Sequence, residues 1–300
     1  MTQLKLGLPK GSLEEATIAL FEKAGWKVHK HVRNYFPEIN DPELHARLCR
    51  TQEIPEYIEE GVLDVALCGR DWLEERGVSW GGPDGGDEPV VVISDLIYSK
   101  VSNRKARWVL AVAGDSPYQR AEDLAGKRIS TELVGVSKRY FESHGVDVDI
   151  NYSWGATEAK VVEGLADAIV EVTETETTIK AHGLRVIDEV MSSNTILIAN
   201  RKVWNDPEAR RKIEQIDLLL QGALRAESFV CLKMNAPTAH LDEILGLLPA
   251  LNSPTVAPLR DAAWVSLETV VAVSEVRDLI PHLRELGAEG ILEYSLNKVI

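Results

Sequence analysis

The order of apolar and polar positions predicts alternating short strands and helices from the first residues onward. Residues 4–8 read as a strand, and Pro9, Lys10, Gly11 and Ser12 as the turn after it. Ser12 suits a helix N-cap, Glu15 completes a capping box with it, and Ala16, Leu20, Phe21 and Ala24 share one helical face. Residues 45–50 predict a strand, 53–60 a short helix closed by Gly61, and 64–68 a strand leading into Gly69, Arg70 and Asp71. Residues 77–89 hold five glycines and two prolines and predict a loop. Strands are then expected at 89–98, 108–113, 128–130, 148–152, 168–172, 184–190 and 195–198. Helices are expected at 119–124, 137–143 and 157–163. This is an α/β pattern with parallel-sheet character.

The longest predicted helix covers residues 206–227. Ile213, Ile216, Leu219, Leu220, Ala223 and Leu224 recur along one side of it, so it reads as a strut joining the α/β part to the C-terminal part. The last 75 or so residues form a self-contained pattern. Strands at 229–234, 255–257, 264–273 and 291–295 enclose helices at 238–248 and 276–286, the βαββαβ order of a ferredoxin-like unit.

Composition narrows the function classes. The 300-residue chain carries 33 basic and 47 acidic residues, a formal charge of −14, which argues against a nucleic-acid partner. A small polyanion stays compatible, because a local pocket can be positive and magnesium can carry phosphate charge. Cys49, Cys68 and Cys231 lie far apart, so neither a disulfide framework nor a zinc site is indicated. No signal peptide and no apolar run of about 20 residues is read, so no membrane span and a cytoplasmic setting are expected.

The residues suited to chemistry lie at predicted strand ends. Residues 168–170 empty into a loop with Glu171, Thr173, Thr175, Thr177 and Thr178, ahead of a short helix. Hydroxyls and backbone N–H groups at such a turn suit a phosphate, and an acid at the strand end suits sugar hydroxyls. The pair suggests a sugar phosphate; the same pattern also fits an edge strand with alternating threonines. Lys10 and Gly11 at the first turn can bring an ammonium and backbone donors to a phosphate. Arg50 can fork onto an anion, and Gly69 and Asp71 follow a strand where α/β sheets carry ligands. Routine turns and surface charge account for these as well. Thr131, Ser137, Lys138 and Arg139, and the Trp154 to Glu158 stretch, place further polar groups at strand ends. No metal-ligand motif, nucleophile elbow or dinucleotide fingerprint is present.

Several long motifs in this order resemble the ATP phosphoribosyltransferase family in its long, self-regulated form. They are LPKGSL at 8–13, RTQEIPEYIEEGVLDVALCGRD at 50–71, TELVGVSKRYF at 131–141, GLADAIVEVTETETTIKAHGL at 164–184 and KMNAPTAHLDEILGLLPALNSPTVAPL at 233–259. AWV at 263–265 and LIPHLRELGAEGIL at 279–292 extend the match. The resemblance implies two periplasmic-binding-protein-like α/β lobes followed by a C-terminal ferredoxin-like regulatory domain. Lobe I would comprise 1–97 plus 186–226, lobe II with the phosphate loop 98–185, and the histidine-sensing domain 227–300.

The resemblance implies that N1 of ATP displaces pyrophosphate from C1 of 5-phosphoribosyl 1-pyrophosphate (PRPP), with magnesium required, in the first step of histidine biosynthesis. It assigns Glu171, Thr175, Thr177, Thr178, Lys10 and Gly11 to PRPP, and Arg50, Gly69 and Asp71 to ATP or phosphate. Asn235, Leu251, Ser253 and Thr255 match positions around inhibitory histidine, and dimers and hexamers are expected. It names no general base, and none is required, because the attacking ring nitrogen has no proton to lose. Two departures stand out. Glu171 replaces the usual aspartate. Glu176 replaces a glycine, adding a side chain and a negative charge beside the expected phosphate.

Overall fold

The computed structural model describes residues 3–31, 34–98, 105–251 and 253–300. It divides into two units, residues 1–22 with 26–217, and residues 23–25 with 218–300.

The first unit holds two large sheets and a small antiparallel pair, Val28–His29 with Glu38–Ile39. One runs in the order Leu44–Arg50, Leu4–Lys10, Val65–Gly69, Thr195–Asn200, Val90–Leu96, Trp80–Gly81. The other runs Asp149–Tyr152, Arg128–Thr131, Ala168–Thr173, Ala106–Ala113, Leu184–Ser193. Val65–Gly69 and Thr195–Asn200 are buried at every position. That explains why their sequences read as unbroken apolar runs rather than alternations: both faces are covered. Each sheet has its own core, around Ile54, Leu73 and Ile198 in the first and Trp108, Leu110 and Phe141 in the second.

Neither sheet is purely parallel. Thr195–Asn200 runs antiparallel to both neighbours, as does Ala106–Ala113. The chain leaves the first sheet after Leu96 and returns at Thr195, so the strand entered after each crossing runs against the local direction. The return comes later than expected. Leu184–Ser193 pairs along its length with Ala106–Ala113, so this strand belongs to the second lobe beyond the anticipated boundary at 186. The expected start of that lobe at 98 lies beside 99–104, outside the described residues.

Smaller differences have local causes. The predicted helix at 119–124 is a single 3-10 turn, Ala121–Leu124, and the glycine-rich loop contains the short strand Trp80–Gly81. The helix Pro207–Ala226 lies within one residue of its predicted ends. Asp206 accepts from the N–H groups of Glu208 and Ala209, and Pro207 occupies the first turn, where its missing N–H costs nothing.

The second unit carries the antiparallel order Thr255–Pro258, Trp264–Ala272, Phe229–Pro237, Glu289–Ser295. Helices Leu241–Leu247 and Val273–Glu285 complete the expected ferredoxin-like βαββαβ arrangement. Leu232, Met234, Leu267 and Leu283 fill its core.

The two lobes of the first unit are tied by a helix cap. Glu75, on helix Arg70–Arg76 of the first lobe, accepts from the N–H groups of Gly135 and Val136 at 2.9 Å each. Those donors open helix Val134–Ser143 of the second lobe. Arg139 donates back to the Glu74 carbonyl. Glu75→Ala is expected to cost about 1 kcal/mol, the usual loss for a cap. Urea unfolding should show the loss, with a lower midpoint and an unchanged slope.

Candidate active site

A cavity of about 400 Å³ opens between the two lobes, lined among others by Ser12, Thr51, Gly69, Asp71, Glu132 and Glu171. Gly69 ends the strand Val65–Gly69, Glu132 follows Arg128–Thr131, and Glu171 lies near the end of Ala168–Thr173. These are the carboxyl ends of strands, where α/β sheets hold ligands.

Asp71 is buried at 8% exposure. One carboxylate oxygen accepts from the indole N–H of Trp108 in the other lobe at 2.8 Å, and the second from the Trp72 N–H at 2.9 Å. The Asp71 N–H donates to Ser193 Oγ, and the Arg70 N–H to the Asn194 carbonyl, both on the returning segment. The Arg70 guanidinium and the Asn194 amide meet on Asp95. Gly69 makes this possible, because a Cβ there would stand 2.1 Å from Asp71 Oδ1. Both residues border the cleft, but the Asp71 carboxylate is spent on joining the lobes rather than presented to an anion.

Burial raises the carboxyl of Asp71 above the ordinary range, against the pull of its indole and amide donors. Glu132 is raised by burial and then by Asp71. Glu171, half-buried, is raised chiefly by burial, with Thr157 and the Val172 N–H opposing. Thr157 is in turn bonded to Ser153, so Glu171 is coupled to the loop that carries the exposed Trp154.

Beyond Glu171 the chain turns sharply. Thr173 Oγ1 accepts from the Glu176 N–H at 2.7 Å, and Thr175 and Thr177 join their hydroxyls at 2.9 Å. Thr175, Thr177 and Thr178 are exposed. Glu176 has φ +60°, a left-handed conformation that a non-glycine residue adopts at a cost of about 1–2 kcal/mol. Its carboxylate meets Arg107 at 2.7 Å and Lys180 at 3.0 Å, and these bonds hold it below the usual glutamate range, Arg107 first. The extra charge at the glycine position is therefore paired. Arg107 escaped sequence reading, although an acid at a position that favours glycine was itself a signal that a cation should be sought.

Lys10, Gly11 and Arg50 fall in a separate cavity of about 570 Å³, which shares Gln52 with the cleft. Gly11 turns there with φ +104°. Lys10 lies 4.3 Å from the Tyr35 ring centre, and Arg47, missed in the sequence, 5.2 Å from that of Tyr57. Cations stacked on aromatic faces suit a nucleotide's phosphates.

Asn235, Leu251, Ser253 and Thr255 are all exposed in the second unit. Asn235 pairs with Ser266 and Thr255 with Glu268, two positions along the same strand. Alternation therefore sets Asn235 and Thr255 on one face of the sheet.

Comparisons with known proteins decide the family. The ATP phosphoribosyltransferase family model matches residues 50–222, and the HisG C-terminal domain model matches 226–298. An ATP phosphoribosyltransferase of Nitratidesulfovibrio vulgaris (strain Hildenborough) is 71% identical, over 100% of this chain and 99% of its own. The chain belongs to the ATP phosphoribosyltransferase family. The C-terminal match makes it a long-form member, and it is a phosphoribosyl glycosyltransferase of histidine biosynthesis. Relatives of the same description from Solidesulfovibrio magneticus and Geotalea daltonii are 62% and 53% identical. Each alignment covers 99% of this chain, with 98% and 99% of the relative. Among solved structures, the ATP phosphoribosyl transferase (HisG:HisZ) complex from Thermotoga maritima superposes with a TM-score of 0.60 at 26% identity. It covers 73% of this chain and 96% of its own. No helix among the described residues is long and apolar enough to cross a membrane.

A carboxyl whose folded value lies above its unfolded one holds its proton more tightly when folded. It therefore costs stability at neutral pH, and that cost fades as pH falls through the raised value. Glu171→Gln should raise the melting temperature at neutral pH by roughly 2–4 °C, the shift that about 1 kcal/mol gives in a domain of this size. The gain should shrink as the pH falls through the raised Glu171 value. Melting curves across that range check it.

Proposed function

We propose that the enzyme transfers the 5-phosphoribosyl group of PRPP to N1 of ATP and releases pyrophosphate, and that histidine inhibits it through the C-terminal unit. The observation that carries the reading is the exposed threonine loop beside the half-buried Glu171 at the rim of the interlobe cleft. Thr175, Thr177 and Thr178 supply hydroxyls to the 5′-phosphate, and Glu171 accepts from the ribose hydroxyls. Lys10, Gly11 and Arg50, with Arg47, supply cations and a turned backbone to pyrophosphate or ATP phosphates. Gly69 and Asp71 act at the junction, keeping the lobes in register.

Displacement at C1 builds positive charge on the ribose and negative charge on the departing pyrophosphate. Positioning and electrostatic stabilisation therefore dominate, and no nucleophilic side chain is needed. Magnesium, when bound to the pyrophosphate, would offset the charge of the leaving group. No cluster of three or more ligating side chains suited to a metal occurs among the described residues. Magnesium would arrive on the substrate's phosphates, its usual mode, with Glu132 and Glu171 among the carboxylates that line the cleft. The reading sets the enzyme in the cytoplasm as a homo-oligomer, dimer or hexamer.

An absorbance assay near the adenine band should show product only when ATP, PRPP and magnesium are all present. In the same assay Thr175→Ala and Thr178→Ala should raise the KM for PRPP roughly ten- to hundredfold, the weight of a hydroxyl bonded to a charged group. The KM for ATP should move far less. Equal effects on both substrates would count against the loop assignment.

The regulatory site is read at Asn235, Leu251, Ser253 and Thr255. These residues lie outside the cleft, so inhibition must shift a conformational or assembly equilibrium. Ser253→Ala combined with Thr255→Ala should leave turnover intact and weaken histidine inhibition by about tenfold or more. Unchanged potency would move the regulatory site elsewhere.

A further inference from the structure

The threonine loop is rooted at Thr173, whose cross-strand partner is Arg107. From that position the Arg107 guanidinium reaches the Glu176 carboxylate at 2.7 Å, while its other nitrogen lies 3.6 Å from Glu189 on the opposite flanking strand. Lys180, one turn further along the next helix, takes the second Glu176 oxygen at 3.0 Å. Glu176 itself occupies the left-handed position of the turn, with its N–H bound to Thr173 Oγ1. Two elements thus converge on the carboxylate, the neighbouring strand and the helix after the loop, while the loop root holds the Glu176 backbone N–H.

Coulomb's law sets the electrostatic consequence. A free carboxylate in the middle of a loop of exposed hydroxyls would repel a phosphate dianion. Paired with a guanidinium from the adjacent strand, it is neutralised and held toward that strand. Lys180 is exposed, so its ammonium is open to an incoming anion as well as to Glu176. Arg107 is more tightly engaged, between Glu176 and Glu189.

We infer that Arg107 is a positioning residue of the phosphate loop, acting through Glu176. It neutralises and turns aside the acid at the loop's left-handed position, so that the threonine hydroxyls can receive the 5′-phosphate of PRPP. This rests on the phosphate-loop reading proposed above. It assigns Arg107 no contact with substrate.

The test is steady-state kinetics on the full-length enzyme, with KM measured for each substrate. Arg107→Leu should raise the KM for PRPP by roughly tenfold or more, the scale of one uncompensated like charge near a dianion. The KM for ATP should stay within about twofold. Glu176→Gly, placed on top of Arg107→Leu, should return the KM for PRPP to within about threefold of wild type, since the charge that needed a partner is gone. If the double variant stays as impaired as Arg107→Leu, Arg107 serves the phosphate directly and the inference is overturned. An unchanged KM for PRPP in Arg107→Leu, with Thr178→Ala still raising it, overturns the inference and leaves the loop reading standing. An unchanged value in Thr178→Ala as well brings down the loop reading itself. Should Arg107→Leu fail to fold, Arg107→Gln keeps a hydrogen-bonding side chain while losing the charge. The same PRPP-selective rise and the same rescue are expected of it, and the absence of either overturns the inference.

Discussion

The Asp71 carboxylate is buried where the two lobes meet, and much of the first unit's geometry depends on keeping it satisfied. Its two oxygens take an indole N–H from Trp108 in one lobe and a main-chain N–H from the helix whose first turn holds Asp71 in the other. A buried carboxylate left without such donors would be costly. The pairing fixes how strand Ala106–Ala113 meets helix Arg70–Arg76, with Ser193, Asn194 and Asp95 closing the ring around it. Glu75 adds a second tie across the same boundary. The cleft in front of this junction has walls from both lobes, so whatever sets the junction also sets the distance between Glu132, Glu171 and the first-lobe turns.

The cleft gathers acids rather than cations. Asp71, Glu132 and Glu171 are all raised by burial, while Lys10, Arg47 and Arg50 gather in the neighbouring cavity. This separation suits a reaction between a ribose and a nucleotide that both carry phosphates. In the proposed reaction the carboxylates would serve sugar hydroxyls and developing positive charge, with the phosphates handled at the margins. The threonine loop belongs to those margins. Its unusual glutamate is tolerated because strand pairing brings a guanidinium within reach.

Much of this was legible in the sequence, for identifiable reasons. Strands such as Val65–Gly69 and Phe229–Pro237 announce themselves by unbroken or alternating apolar positions, and the burial patterns match. The apolar stripe from Ile213 to Leu224 marked the long helix to within a residue. Strand direction was not legible. Nothing local to Thr195–Asn200 says that it enters antiparallel, because that depends on where the chain has travelled since Leu96. Nor was the role of Asp71, whose partner Trp108 lies 37 residues away. Glu176 was recognised as anomalous, but its counter-ion is set by register alone, since Arg107 stands opposite Thr173 only once the two strands pair.

The central claim is that the interlobe cleft, with the loop through Thr173, Thr175 and Thr178 at its rim, receives PRPP. Amide hydrogen exchange on the full-length protein, with and without PRPP and magnesium and with ATP absent, tests it directly. The account predicts slowed exchange at residues 173–178 and little change in residues 229–300. Unchanged exchange at 173–178, with protection appearing elsewhere at saturating PRPP, would contradict it.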